Sequence, residues 1–332
     1  MLPIPPDMLA YITIDTEYSS GMVRERGPDC RARNFAAAVS GQTEAGEYGL
    51  GYKLDMFNRH GHRGVCFVDP MPALLWGVAA VEDVVGPILE RGHDVQLHVH
   101  TEWLELAGAV HPLARATGGA TGRNIKDFTF EQQCALIDWA RDTLVAAGAA
   151  PPVAFRAGNY GANDTTLRAL AQCGIGYDTS HTPGIAGGDC AISLSPEDRV
   201  PLRHEGVIEV PIGCIATVGG GLRHAQITAL SAREMVRALR HARDAGKPCF
   251  TMVSHSFELV NRRRGKVNRI VRRRFERLCE AVARMKGVRT GTYAQDPPTV
   301  VALDPAETLA PADPVAETLR IAEQLASNTL YG

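Results

Sequence analysis

Gly92-His93-Asp94-Val95-Gln96-Leu97-His98-Val99-His100-Thr101-Glu102-Trp103 is the stretch from which the rest of the chain is read. Val95, Leu97 and Val99 alternate with Gln96, His98 and His100, and a period of two marks a β-strand with one apolar and one polar face. His98 and His100 then share a face, about 7 Å apart at Cα on ordinary strand geometry. Two imidazoles so placed can share one metal ion. Glu102, two residues further on, extends the row as a further donor. The plainer alternative is a pair of solvent-facing histidines on an edge strand.

The composition limits what such a strand can belong to. The chain has 332 residues, a formal net charge of −2 and 45% hydrophobic residues. This length allows one large α/β domain or two small ones, with ample core either way. The near-neutral charge gives no general attraction to nucleic acid or to anionic membrane. Eight cysteines are spread singly, with no Cys-x-x-Cys pair, and read as reduced thiols. The N-terminus lacks the basic and apolar regions of a secretory signal, and no apolar run reaches membrane-spanning length. The expected address is cytoplasmic, and the oligomeric state is left open.

Strands alternate with helices along the chain. Tyr11–Asp15, Gly64–Val68, Val153–Arg156, Ile175–Asp178, Val207–Ile212, Cys249–Ser254 and Val288–Tyr293 read as further strands. Helices are expected over 79–91, 131–147, from Asn163 to Gly174, from Ser231 to Ala245 and over 266–285. Capping boxes at Thr129/Gln132 and Ser231/Glu234 support two of them. Residues 19–63 read as a long loop with short helical pieces and a candidate lid, and 104–127 as irregular. This βα alternation implies a mainly parallel sheet or barrel. Residues 296–332 read as a tail with a short helix near 315–326.

The polar candidates fall where strands end: Asp15 and Glu17, then His98, His100 and Glu102, then Arg156, then His255. In parallel α/β folds the C-terminal strand ends share one face, where sites are built.

These residues also resemble a known family. Thr13-Ile14-Asp15-Thr16-Glu17 looks like the first motif of the polysaccharide deacetylase superfamily (the NodB-homology domain, carbohydrate esterase family four). Gly92–His98 resembles the approach to its histidine motif. Phe155-Arg156-Ala157-Gly158-Asn159-Tyr160-Gly161 looks like the third motif, Gly176–Ser180 the fourth, and Val253-Ser254-His255 the fifth. The resemblance implies a distorted (β/α)7-type barrel and metal-dependent removal of an acyl group from a sugar amide or ester. Two departures stand out. Thr16 occupies the place of the family's usual metal-binding acid, with Glu17 one residue on. Glu102 stands where the second histidine is usual, with His100 between it and His98.

The expected metal ligands are therefore Glu17, His98 and His100, with Glu102 competing with His100 for the third place. A mixed nitrogen and oxygen set suits zinc; cobalt, nickel or iron would also fit. Asp15 is expected as general base with Arg156 beside it, and His255 as the acid that protonates the leaving nitrogen. A backbone N–H around Asn159–Tyr160 is expected to face the oxyanion. Tyr160 and Trp103 are either sugar-stacking platforms or ordinary packing.

Nine cations between Arg262 and Arg277 are opposed only by Glu276, which reads either as a solvated helix face or as a site for phosphates of a carbohydrate substrate. The leading expectation is a carbohydrate deacetylase in cell-surface polysaccharide or lipopolysaccharide synthesis. The rivals are a hydrolase of a small non-peptide C–N bond and an inactive sugar-binding homologue.

Overall fold

Met8–Thr16 (β1) lies at the centre of the fold because it is apolar on both faces and carries a partner along each edge. The computed structural model describes residues 7–108, 111–262 and 264–331. The other main strands are β2 (Val65–Val68), β3 (Asp94–Val99), β4 (Ala154–Ala157), β5 (Tyr177–Asp178), β6 (Leu202–His204), β7 (Val207–Glu209), β8 (Cys249–His255) and β9 (Val288–Thr290). Their order in the sheet is β8-β1-β2-β3-β4-β5-β7-β6, with β9 on the early part of β1. All neighbours are parallel except the β6–β7 hairpin at the edge.

Past β7 the chain turns back onto β8 through the bridges Ile212–Thr251 and Gln226–Val253. These bridges bring the two ends of the sheet toward each other, so the sheet curls into a distorted (β/α)7-type barrel.

Two apolar layers follow from the strand alternation. Tyr11, Val65, Phe67, Ala154, Val210 and Tyr293 fill the barrel interior, where Tyr11 stacks on Tyr293 with ring centroids 4.7 Å apart. The larger core lies outside, between the sheet and its helices. These helices are α1 (Leu50–Arg59), α2 (Ala79–Glu90), α3 (Phe130–Ala146), α4 (Asp164–Gln172), α5 (Ala232–Asp244), α6 (Arg269–Ala283) and α7 (Pro314–Tyr331). Side chains of Thr129, Asn163 and Ser231 cap α3, α4 and α5, each completing a capping box.

The structure differs from the sequence reading in three places. Residues 19–63 are more ordered than a loop. They hold the helix Ser20–Arg26, a short π-helical turn at Phe35–Val39, a hairpin at 42–47, and α1. Within 104–127 there are short helices at Trp103–Ala107 and Pro112–Ala116. The tail helix is longer than expected, at 18 residues, and is docked on the barrel. Arg320 reaches Glu234 at 3.1 Å with both side chains buried, and Arg274 reaches Glu323 at 2.8 Å. Glu234 thus both caps α5 and anchors α7. No described helix is long and apolar enough to cross a membrane.

Candidate metal and catalytic centre

Strand register brings the polar residues together. Asp15 pairs with His255 on one side and Phe67 on the other. Thr16 pairs with Val68, and Val68 with Leu97. The next row therefore carries Glu17, Asp69 and His98, and His98 pairs with Arg156. Alternation turns Asp15, Glu17 and His98 toward the barrel mouth and Thr16 toward the helix layer. Thr16 is fully buried there. With an acid two positions after Asp15 rather than one, both carboxylates stay on one face.

Glu17, His98 and His100 converge. Their nearest ligand atoms all lie within 4.8 Å of one another. His98 Nε2 is 3.7 Å from Glu17 Oε2, and His100 Nε2 lies closer still. His98 Nδ1 lies 2.7 Å from the Arg156 carbonyl, and His100 Nδ1 lies 3.0 Å from Glu102 Oε2. A ring whose Nδ1–H donates leaves the Nε2 lone pair free, which is the usual arrangement of a metal-ligating histidine. Glu102 therefore sits behind His100 rather than in the group of three.

Glu17 Oε2 is buried and accepts no hydrogen bond of acceptable geometry, despite two imidazole nitrogens beside it. Two imidazole nitrogens gathered around a buried carboxylate oxygen that accepts no hydrogen bond are a ligand set that fits a divalent cation. Burial opposes the charge on Glu17, but His100 and His98 hold its pKa well below the usual carboxylate range. Burial likewise opposes the charge on His100, while Glu17 and Glu102 hold it well above the usual imidazole range.

Two ion pairs flank this trio. Arg156, fully buried, donates from Nη1 to Asp15 Oδ1 at 2.5 Å and to Thr13 Oγ1 at 2.8 Å, and its guanidinium lies 4.2 Å from the Phe67 ring centroid. On the other side His255 Nε2 is 3.9 Å from Asp15 Oδ2, and His255 Nδ1 is 3.0 Å from Glu258 Oε1. Burial pulls the His255 pKa down, but Glu258 and then Asp15 outweigh it, raising the pKa to about 9. Gln226 donates to Glu258 and receives His224 on its own oxygen at 2.6 Å. Lys53 of α1 donates to the His255 carbonyl at 2.6 Å, and burial lowers its pKa to about 8.

The turn after β4 completes the mouth. Asn159 and Tyr160 both have positive φ, 55° and 57°. Two such non-glycine residues in succession cost roughly 1–3 kcal/mol each and gather at functional sites. Gly158 has no room for a side chain, since a Cβ there would lie 2.7 Å from His100 Nδ1. The Tyr160 hydroxyl is buried without a partner. Trp103 is fully buried against Trp76, which makes it packing rather than a stacking platform. A cavity of about 210 Å³ opens beside two of the three, lined by Glu17, His100, Glu102, Asn159, Phe257 and Arg262 among others.

The basic run divides in the structure. Arg262 lies over the Phe257 ring, 4.0 Å from its centroid, and has no carboxylate partner among the described residues. Arg272 pairs with Glu276 at 3.2 Å, and buried Arg274 with Glu323. Arg263 lies outside the described residues. The run is therefore not one charged face, and among its described members Arg262 alone lines the cavity.

Asp69, Glu258, Gln226 and Lys53 were not among the candidates. Asp69 directly follows β2, the position that Glu17 takes after β1. Glu258 follows His255 by three residues, so a His-x-x-Glu spacing on one turn was readable. Lys53 and Gln226 had no sequence signal.

No family model and no curated protein matches this chain. Among solved structures it is similar to a "putative polysaccharide deacetylase from Mycobacterium smegmatis", with 16% identity and a TM-score of 0.55 over 92% of this chain and 97% of that one. A family 4 carbohydrate esterase from Streptomyces lividans in complex with acetate aligns at 15% identity and a TM-score of 0.44, over 91% of this chain and 100% of that one. A peptidoglycan deacetylase from Bacillus subtilis aligns at 12% identity and a TM-score of 0.41, over 98% of each chain. With near-complete coverage in both directions, the first of these shows the fold: the architecture of this chain is similar to that of the Mycobacterium smegmatis protein, a distorted (β/α) barrel of the kind expected from the motifs.

Proposed function

We propose that this protein is a metal-dependent hydrolase that removes an acyl group from an amino sugar or related carbohydrate. The observation that carries the reading is the convergence of Glu17, His98 and His100 between an Asp15–Arg156 pair and a His255–Glu258 pair. A divalent ion bound by the three would polarise the acyl carbonyl and lower the pKa of a water to around 7. Zinc suits the two nitrogens and one oxygen, and cobalt, nickel or iron share that preference.

Asp15 takes a proton from the attacking water, and the buried Arg156 guanidinium, bonded to its Oδ1, fixes its rotamer. His255, held as the imidazolium by Glu258, gives its proton to the leaving nitrogen. The Tyr160 backbone N–H, set by the left-handed turn, faces the developing oxyanion. Glu102 orients His100. The domain that does this spans residues 8–295, and α7 braces it from the tail.

Arg262 supports a finer reading. A guanidinium stacked on an aromatic ring, with no carboxylate partner among the described residues, suits a phosphate on the substrate. Such groups occur on intermediates of cell-surface polysaccharide and lipopolysaccharide synthesis, which is the pathway we favour. Purified protein supplied with zinc should release acetate from N-acetylglucosamine 6-phosphate, and a chelator should stop it. Arg262→Ala should raise KM for this substrate more than for N-acetylglucosamine, and the difference should shrink as salt rises. An equal effect on both sugars at every salt concentration would remove the phosphate role. Absence of acetate release from either would remove the deacetylase.

The small cavity lends support to a second reading. About 210 Å³ is less than the roughly 300–1,000 Å³ usual for drug-sized ligands, so a small non-peptide C–N substrate would also fit. Ammonia release, measured beside acetate, separates the two.

A further inference from the structure

The row that holds Glu17 and His98 has a third member. Asp69 follows Val68 at the end of β2, and β2 lies between β1 and β3. Its N–H donates to the Thr16 carbonyl at 3.1 Å, continuing the β1–β2 ladder one residue past the strand. Glu17, Asp69 and His98 are therefore lateral neighbours on one face. Neighbouring strands are about 4.8 Å apart, so β1 and β3 stand about 10 Å apart, and side chains from both can converge only above the end of β2. Asp69 is the residue at that end.

Asp69 is also incompletely satisfied. The residue is 3% exposed. Its Oδ1 accepts from the Met71 N–H at 3.0 Å and lies 3.4 Å from the His100 backbone nitrogen. Its Oδ2 is buried and has no partner. A carboxylate can only accept, and a buried acceptor left unpaired is costly, so its place in a fold needs an explanation. The residue stands outside the trio whose ligand atoms lie within 4.8 Å of one another. It is thus placed to act behind the ligands rather than as one of them.

We propose that Asp69 is an outer carboxylate of the metal centre: Oδ1 fixes the backbone of His100, and Oδ2 accepts a hydrogen bond from the hydration shell of the ion, so that Asp69 tightens metal binding. The inference rests on the metal reading above. Outer groups of this kind are typically worth 10–100-fold in metal affinity.

Zinc affinity should be measured by competition with a chromophoric chelator for wild type, Asp69→Asn, Asp69→Ser and His98→Ala. Asn keeps the shape and an acceptor for Met71 but replaces the second acceptor with a donor; Ser keeps a short acceptor and removes the charge. Both Asp69 variants should bind zinc about 10–100-fold more weakly, with His98→Ala weaker still. Wild-type affinity in folded Asp69→Asn, alongside weakened His98→Ala, would overturn the role of Asp69 and leave the metal reading intact. If Asp69→Asn does not fold, Asp69→Ser decides in the same way. A lowered melting temperature of the metal-free variants, with unchanged zinc affinity, would mark a packing role and also overturn it. No zinc binding by wild type, or wild-type binding by His98→Ala, would remove the metal reading and the Asp69 proposal with it.

Discussion

Asp15→Asn should lower kcat by about 10²–10⁴-fold, the usual worth of a positioned base. The substitution keeps the shape of the side chain and removes the lone pair that receives a proton from water. It also removes the charge that faces Arg156 at 2.5 Å in a fully buried pair. An isolated buried guanidinium is destabilising, so a lower melting temperature is expected too. The two effects separate if metal content and folded fraction are measured in the same preparation. A folded, metal-loaded Asp15→Asn protein with undiminished kcat would exclude Asp15 as the base.

His255→Ala should cost a comparable factor on an amide substrate, whose leaving nitrogen must be protonated. On an activated acyl ester, whose leaving group departs as an anion, the loss should be much smaller. Equal losses on both substrates would make His255 structural. The pH profile gives an independent check. Glu258 and Asp15 hold the His255 pKa at about 9, so the proton it must donate is present at neutral pH and lost as pH rises through that value. Amide hydrolysis should therefore fall on the alkaline side near pH 9. In Glu258→Gln the imidazolium loses its main support, and the fall should move to lower pH.

Much of this architecture is legible in local pattern. The alternation from Val95 to His100 places two histidines on one face, and that face lies at the barrel mouth. Boxes at Thr129 and Ser231 and the cap at Asn163 mark helix starts that the structure contains, because a capping side chain bonds backbone within three residues of itself. What was not legible has a common physical origin. Helix α1 has Gly49 at its N-cap and so no capping side chain, which leaves no start signal and hides Lys53 with it. The tail helix is held by Arg320 on Glu234, a contact between residues far apart in sequence. The partition of the basic run depends on where Phe257, Glu276 and Glu323 fall in space. The relation of Glu102 to His100 turns on which ring nitrogen faces which carboxylate, and spacing alone cannot distinguish a ligand from the group behind it.

In the proposed mechanism Glu17, His98 and His100 together hold one divalent ion. Elemental analysis of the purified protein, exposed to zinc and then freed of excess, tests it most directly. About one ion per wild-type chain is expected, with a marked loss in Glu17→Ala and in His98→Ala and a smaller one in Glu102→Ala, because Glu102 acts through His100. Wild-type metal content in folded Glu17→Ala and His98→Ala proteins would contradict it.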